Sequence, residues 1–281
     1  MRRIATVVAA VTLAGSVVHM QDAARPPSVP SAGAGASPTL EDAQRLFYNG
    51  RYEDAAGLAQ ELCASGAEDL EACELRTASL HFQIRRAMGD SGDQEKAWKA
   101  CGACPGLMSA FISETSRGQS IARARLQKNP DDEAALFLLG KIDLNYVWLQ
   151  LGTLGRKTGW KEYWEARKSL DKVLKQTPDH VRARVARAWI DYIVDTKMPR
   201  GTRWLLGGGN KKRGLRVVRE AAGSEAEYFA RVEAAFALWD MQVRERDVPG
   251  AVATARDLAR DFPENRELAK FLSTHATAPA Q

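Results

Sequence analysis

Asn129–Gly140 reads N-P-D-D-E-A-A-L-F-L-L-G, and this stretch decides the fold. Asn129 and Pro130 end one helix, because proline has no backbone N–H and cannot continue it. The acidic residues from Asp131 to Glu133 are typical of the start of a new helix. Gly140, a small residue, follows the proline by ten positions. The stretch therefore predicts two helices joined by a sharp turn.

The same spacing recurs further along the chain. Ala188 lies ten positions after Pro178, and Ala251, Ala255 and Pro263 place the last hairpin in the same register. Paired helices approach to about 8–10 Å only where the side chains between them are short. The recurrence therefore predicts a stack of helical hairpins.

The first hairpin carries the fullest set of marks. Thr39 can cap its first helix, and Asn49–Ala56 reads N-G-R-Y-E-D-A-A, a helix end followed by an aromatic residue and small residues. These marks resemble the tetratricopeptide repeat, a helix-turn-helix unit of about 34 residues. The matching positions of the first unit are Ala43, Gly50, Tyr52, Ala55 and Ala59.

The resemblance implies an all-α fold, a right-handed superhelix of antiparallel helical hairpins (a TPR-like α-solenoid), of an exported bacterial type. The match is degenerate. Pro130 and Pro178 are 48 residues apart, fourteen more than one repeat, and the unit around Gly214–Ala221 has no closing proline. The extra residues fall between Asn145 and Lys161, where an apolar pattern extends the helix to about Gly155. This insertion is either a functional addition or simply a longer hairpin whose extra residues pack against one another at its end.

The N-terminal residues predict export. Met1-Arg2-Arg3 is a positive n-region, and the mostly apolar stretch of fifteen residues from Ile4 to Val18 has the length of a signal-peptide h-region. We expect a cleavable signal peptide over about residues 1–24, a Pro/Ala/Gly linker over 25–38, the repeat domain over 39–275 and a disordered tail over 276–281. The protein is therefore expected in the periplasm or secreted.

Composition argues against disorder and against nucleic-acid binding. Apolar residues make up 45% and charged residues 27% of the chain, which are ordinary values for globular proteins. The net charge is +5, but three basic residues and one acidic residue precede Ser37, which leaves only +3 for the rest. This balance is too small to imply nucleic acid.

All four cysteines, Cys63, Cys73, Cys101 and Cys104, lie in the N-terminal half of the chain. An even number in an exported chain favours structural disulfides, and a bridge between Cys63 and Cys73 would cross one hairpin. Cys101-Gly-Ala-Cys104 has the spacing of a thiol redox pair, but no βαβ pattern surrounds it. Two structural bridges, a redox pair and a four-thiolate metal site remain open, and we expect the bridges.

Lys197–Arg219 contains eight basic residues and no acidic residue. Asn210 can cap a helix whose first turn holds Lys211, Lys212 and Arg213, although cations there oppose the helix dipole. Glycines, exposed backbone amides and cations together can bind a phosphate or carboxylate. The alternative is a simple hairpin turn with soluble side chains.

Eight aromatic residues lie within sixty residues, from Tyr146 to Trp204. In helical repeats such residues either line a binding groove or pack between helices. The predicted binding residues of the groove and the basic segment are Trp148, Trp160, Trp164, Trp189, Tyr192, Arg200, Arg203, Trp204, Lys211, Lys212 and Arg213.

No catalytic motif, cofactor motif or metal-ligand cluster is recognisable, so we expect no enzyme, cofactor or metal. The preferred interpretation is a non-catalytic scaffold of the bacterial envelope that binds a protein or peptide, and it allows an oligomer. Long hairpins with an L-G-G-type turn also resemble the periplasmic helical subunit of tripartite ATP-independent transporters. That alternative implies a small anionic or lipid-like ligand. A thiol redox partner using Cys101 and Cys104 is the third hypothesis.

Overall fold

The computed structural model describes residues 37–64, 70–89 and 91–275. The predicted signal peptide, most of the predicted linker and the predicted tail lie outside the described residues.

The described residues contain no β-strand, so the all-α class is confirmed. They form twelve α-helices: α1 (Leu40–Tyr48), α2 (Tyr52–Ala64), α3 (Leu70–Met88), α4 (Gln94–Ala100), α5 (Cys104–Lys128), α6 (Glu133–Val147), α7 (Trp160–Gln176), α8 (Val181–Lys197), α9 (Lys211–Ala222), α10 (Tyr228–Arg244), α11 (Val248–Asp261) and α12 (Arg266–His275). A π-helical segment (Trp148–Thr153) continues α6, and a 3-10 segment (Arg200–Leu206) follows α8.

Local capping sets the helix starts that the sequence predicts. Thr39 caps α1, and with Asp42 it forms a reciprocal capping box. The Asp132 carboxylate accepts the N–H of Ala135 at the start of α6, and Asn210 caps α9. These side chains satisfy backbone donors that have no partner within the helix.

Each helix packs chiefly against its neighbours along the chain. The exception is the short α4, which contacts α3 but does not separate it from α5, so that α3 packs directly on α5. The helix α3 also contacts α6, and α8 contacts α10. Small residues allow these approaches. A Cβ atom added at Gly140 of α6 would lie 3.0 Å from Leu170 Cγ and 3.3 Å from the Ala166 carbonyl oxygen of α7.

The two ends of the described domain meet. The Tyr48 ring, at the end of α1, stacks on Phe229 and Phe236 of α10, with ring centroids 5.9 and 5.2 Å apart. It also contacts Phe262, which follows α11, at 5.5 Å. The helices therefore form a closed circuit in which the first hairpin contacts the last ones.

Inside this circuit, Glu74, Lys141, Arg182 and Glu233 form a cluster of ion pairs, hereafter the ion cluster. They come from α3, α6, α8 and α10, and their side chains are only 7 to 17% exposed. Lys141 pairs with Glu233 and lies 3.8 Å from Glu74, whereas Arg182 contacts Glu233 at 2.8 Å and Glu74 at 3.5 Å. Each cation thus contacts both carboxylates, and four helices are connected.

No helix among the described residues is both long enough and apolar enough to cross a membrane.

Candidate functional site

The most exposed aromatic surface of the described residues is formed by Trp160 and Trp164 of α7 with Trp204 and Leu205 of the 3-10 segment. We call these four residues the tryptophan patch. Their exposed fractions are 41, 44, 72 and 53%, which is high for large apolar side chains. Exposed apolar side chains that lie on neighbouring segments are candidates for an interaction site.

Tyr163 holds the two halves of the tryptophan patch together. Its buried ring contacts Trp160 and Trp164, with centroids 6.4 and 5.3 Å apart. Its hydroxyl donates to the carbonyl oxygen of Leu206 at 2.8 Å, immediately after the exposed Trp204 and Leu205. The patch therefore lies on a fixed support rather than on a free loop.

Arg167, one turn further along α7, strengthens this support. Its guanidinium donates to the carbonyl oxygens of Leu206 and Gly207 at 2.8 and 2.6 Å. Gly207 has φ of 74°, and a Cβ atom there would lie 2.6 Å from the guanidinium carbon of Arg167. Glycine is therefore favoured at this position for its backbone conformation, and a larger side chain would displace the Arg167 guanidinium.

Exposed lysines surround the tryptophan patch. Lys161 and Lys168 are exposed on α7, and Lys157 is exposed in the loop before it. At about 100° per residue, Trp160, Trp164, Lys168 and Lys161 fall within an arc of roughly 100° on the helix. The exposed side of α7 is therefore aromatic and cationic.

A shallow cleft of about 420 Å³ lies beside this side of α7. Its lining includes Lys168 and Ser169 from α7 and Leu139 from α6. Arg123 of α5 spans it and donates to both carboxylate oxygens of Glu165, at 3.1 and 2.6 Å. Trp164 and Lys168 are four residues apart on α7 and are therefore neighbours on that helix, so the cleft begins one helical turn from Trp164.

Asp143 of α6 is fully buried close to this cleft. One carboxylate oxygen accepts a hydrogen bond from the Gln119 side chain at 2.7 Å, and the other has no hydrogen-bond partner in the structure. Burial, assisted by the negative charge of Glu165, raises the pKa of Asp143 to about 8. The carboxyl group is therefore mostly protonated at neutral pH.

The predicted anion site at the start of α9 is already filled by the chain itself. The Asp195 carboxylate accepts the backbone N–H of Lys211 at 2.8 Å and pairs with Arg203. Lys211 in turn pairs with Glu245 at 2.7 Å. Lys212 and Arg213 remain exposed, and Arg200 begins the 3-10 segment. This geometry favours the structural interpretation of the basic segment, because internal carboxylates occupy the positions that an anion would take.

The other predicted aromatic residues pack within the protein. Tyr192 is buried, and its hydroxyl donates to Glu245 at 3.0 Å. Trp189 packs against the Tyr192 ring and lies under the Arg244 guanidinium. Trp148 is partly buried against the largest apolar core. These three residues stabilise helix contacts, whereas Trp160, Trp164 and Trp204 are presented to solvent.

Cys101 and Cys104 form a disulfide, with both residues buried against Phe111 and Leu149. Burial of both sulfurs favours a structural role for this pair. The second predicted bridge is not formed, since Cys63 and Cys73 carry thiols in the structure. The two cysteines lie side by side, and the Glu114 carboxylate is next to both sulfurs. Nothing in the sequence indicated this carboxylate.

Two features of the site were missed from the sequence. Leu205 looked like one apolar residue in a turn, and its exposure depends on how the 3-10 segment lies against Tyr163. The ion cluster joins residues from four helices, and no local motif marks them. Comparisons of the chain with protein-family models, with curated proteins and with solved structures find no match.

Proposed function

We propose that this protein is a non-catalytic binding and assembly module of the bacterial envelope, built from TPR-like helical hairpins in a right-handed superhelix. The sequential packing of hairpins and the small residues at helix contacts support the repeat interpretation. The closed circuit and the central ion cluster favour a binding surface on the outside of the helices rather than in an inner groove.

The tryptophan patch is the observation that carries the proposal. Tryptophans dominate binding energy at protein interfaces, because they bury a large area while losing little conformational freedom. Exposing them costs the isolated chain the free energy of apolar hydration, about 25 cal/mol per Å². When a bound partner covers these side chains, the apolar surface is removed from water and the binding free energy becomes more favourable.

The partner that fits this surface is a protein segment with apolar and acidic side chains. The apolar groups would cover Trp160, Trp164 and Trp204, and the acidic groups would lie near Lys161 and Lys168. Complementary charges around an apolar centre increase the association rate and fix the register of binding. The cleft beside α7, which Lys168 lines, adds to the area available to such a segment.

The envelope location rests on the predicted signal peptide. The disulfide between Cys101 and Cys104 supports it, because structural disulfides persist in oxidising compartments such as the periplasm.

Site-specific photo-cross-linking in intact cells tests the proposal. A benzophenone amino acid replaces Leu205 in one strain and Val248 in another. Val248 is a matched control because it is an exposed apolar residue on α11. We expect a discrete protein adduct from position 205 and none from position 248. The same adduct should disappear in the W160S/W164S background. It should persist in an I112S background, because Ile112 is an exposed apolar residue of α5 outside the tryptophan patch.

Mass spectrometry of the adduct should place the cross-link in a segment that contains both apolar and acidic residues. Equal adducts from positions 205 and 248 would overturn the proposal. The patch would instead be a membrane-binding surface if purified protein sedimented with phosphatidylglycerol vesicles in a Trp160- and Trp164-dependent manner and gave no protein adduct.

The cleft beside α7 supports a second candidate, a periplasmic small-ligand subunit like that of tripartite ATP-independent transporters. Arg123 could bind a small carboxylate there by exchanging its bond to Glu165. Native mass spectrometry of protein purified from the envelope distinguishes this candidate. A bound small anion that is lost in R123Q, with no effect of W160S/W164S, would favour it over the protein-binding module.

A further inference from the structure

Cys63, Cys73 and Glu114 form a compact buried group, hereafter the thiol cluster. They come from α2, α3 and α5, and one ligand atom from each lies within 4.8 Å of the others. All three residues are at most 2% exposed. The Cys63 sulfur donates to a Glu114 carboxylate oxygen at 3.7 Å. The disulfide interpretation accounts for the two sulfurs but gives no reason for the carboxylate beside them.

Charged side chains support this cluster from two sides. Arg76 pairs with the second oxygen of Glu114, and its other nitrogen donates to Gln60 at 2.9 Å. Arg117 donates to the carbonyl oxygen of Cys63 at 2.6 Å. The Glu114 carboxylate is thereby fixed with one oxygen toward the sulfurs. A metal ligand needs such an outer partner to hold its orientation.

We propose that the thiol cluster is a binding site for a thiophilic divalent metal ion, namely Zn²⁺. Two thiolates and one carboxylate are common protein ligands of zinc, and their spread of 4.8 Å allows each to reach one central ion. Binding releases the two thiol protons to solvent. The two thiolates and the carboxylate then carry three negative charges, which Zn²⁺ and the Arg76 guanidinium neutralise.

A metal ion would neutralise the buried negative charges of the thiol cluster. Without a cation, burial raises the pKa of both thiols, so the protonated forms are favoured. A buried ion is tolerated only when it is paired, and the cluster offers a divalent cation a matched set of anionic partners. Three helices would then be joined at one point near the N-terminal hairpin.

Metal binding by the mature protein tests this inference. Because the site is buried, Co²⁺ is added both to folded protein and during refolding under argon. We expect a thiolate-to-cobalt charge-transfer band with a stoichiometry of one metal per chain. Zn²⁺ should bleach the band, and bound Zn²⁺ should protect Cys63 and Cys73 from alkylation. The C101S/C104S variant should retain the band, which excludes the other cysteine pair as its source.

Two variants locate the site. C73S should abolish the charge-transfer band, and circular dichroism shows whether it folds. E114Q removes only the carboxylate charge, keeps the side-chain shape and should weaken Zn²⁺ affinity at least about tenfold. The proposal is wrong if folded and refolded protein both lack the band, or if native protein contains a Cys63–Cys73 disulfide and no metal. An unchanged affinity in E114Q would exclude the carboxylate as a ligand.

Discussion

The Asn265 side-chain amide donates a hydrogen bond to the backbone carbonyl oxygen of Tyr48 at 2.7 Å, across a sequence separation of 217 residues. The same side chain accepts the backbone N–H groups of Glu267 and Leu268 at the start of α12. Asn49, next to Tyr48, accepts the backbone N–H of Glu264 at 3.2 Å. The Asn265 side chain therefore caps the last helix and also links it by a hydrogen bond to the end of the first.

Replacement of Asn265 should separate these two roles. N265A removes the cap and the bond to Tyr48, and we expect a loss of about 2 kcal/mol in the free energy of unfolding. N265D keeps an acceptor for the cap but loses the donor to Tyr48, so it should cost less than N265A and still destabilise. Urea denaturation followed by circular dichroism measures both. Equal stability of N265D and wild type would mean that the contact between the ends contributes nothing.

Glu233 should make acid stability depend on the ion cluster. Burial raises its pKa, but the charges of Lys141 and Arg182 outweigh burial and lower the pKa to about 2. Because the folded pKa is below the usual 4.5, the stabilisation is complete above pH 4.5 and is lost as pH falls toward 2. E233Q should be less stable by about 3 kcal/mol at neutral pH.

The difference between wild type and E233Q should shrink between pH 4.5 and 2, because protonation removes the same charge from wild type. Unfolding free energies measured at several pH values within this window check the prediction. A constant difference over the whole range would contradict it. The exposed pair of Lys99 and Glu95 provides a control, and E95Q should change stability by less than about 0.5 kcal/mol.

Asp143 should have the opposite pH dependence. Its folded pKa of about 8 lies above the ordinary value of 3.8, so the folded state binds the proton more tightly. Its contribution to stability is therefore complete below pH 3.8 and falls as pH rises through about 8. D143N should gain about 4 kcal/mol relative to wild type between pH 5 and pH 9, because wild type loses about 1.4 kcal/mol per pH unit up to the folded pKa of about 8.

Paired denaturation curves at those two pH values test the Asp143 prediction. D179N, at an exposed position, should show no such gain and serves as the control. If the stability difference between D143N and wild type did not change with pH, Asp143 would not be the buried titrating group.

Gly140 and Gly57 provide a matched pair of helical glycines. Alanine improves helix propensity by about 1 kcal/mol at either position, but a Cβ atom at Gly140 meets Leu170 and the Ala166 carbonyl. Overpacking there should cost about 2 kcal/mol, so G140A should be destabilised by about 1 kcal/mol. G57A has no atom within 4 Å of its new methyl group and should be stabilised. Urea midpoints of the two variants should therefore move in opposite directions.

The Cys101–Cys104 bridge should be visible by alkylation. Protein unfolded without reductant should react at Cys63 and Cys73 only, and at all four cysteines after reduction. C101S/C104S should lose about 2 kcal/mol, because a short closed loop restricts the unfolded chain only modestly. Mass mapping of the alkylated peptides identifies the sites. Reaction of Cys101 in the unreduced sample would contradict the assigned bridge.

The sequence alone determined the all-α class and several helix starts and ends, although α6 ends at Val147, where a π-helical segment continues it, and not near Gly155 as the apolar pattern predicts. Thr39, Asp132 and Asn210 cap helices through contacts within three residues, and prolines end them through local chemistry. Gly140 was recognisable as a helix contact because its spacing from Pro130 repeats elsewhere. These features depend on short segments, so they can be predicted from the chain order.

Only the tertiary structure decided which predicted site residues are available for binding. Trp189 and Trp204 lie in the same aromatic-rich region, yet one packs on Tyr192 and the other is largely exposed. The sequence left the basic segment open as an anion site or a hairpin turn, and the contact of the Asp195 carboxylate with the backbone N–H of Lys211 favours the turn. Such outcomes depend on which helix faces which, and neighbouring residues do not determine that.

The ion cluster and the thiol cluster were likewise decided by tertiary structure. Lys141 and Glu233 are 92 residues apart, and Cys63 and Glu114 are 51 residues apart. Each residue alone resembles an ordinary member of its helix. The closed packing of the hairpins brings these residues together. Because an unpaired buried charge is strongly destabilising, each charged residue of the ion cluster needs a partner of opposite charge beside it.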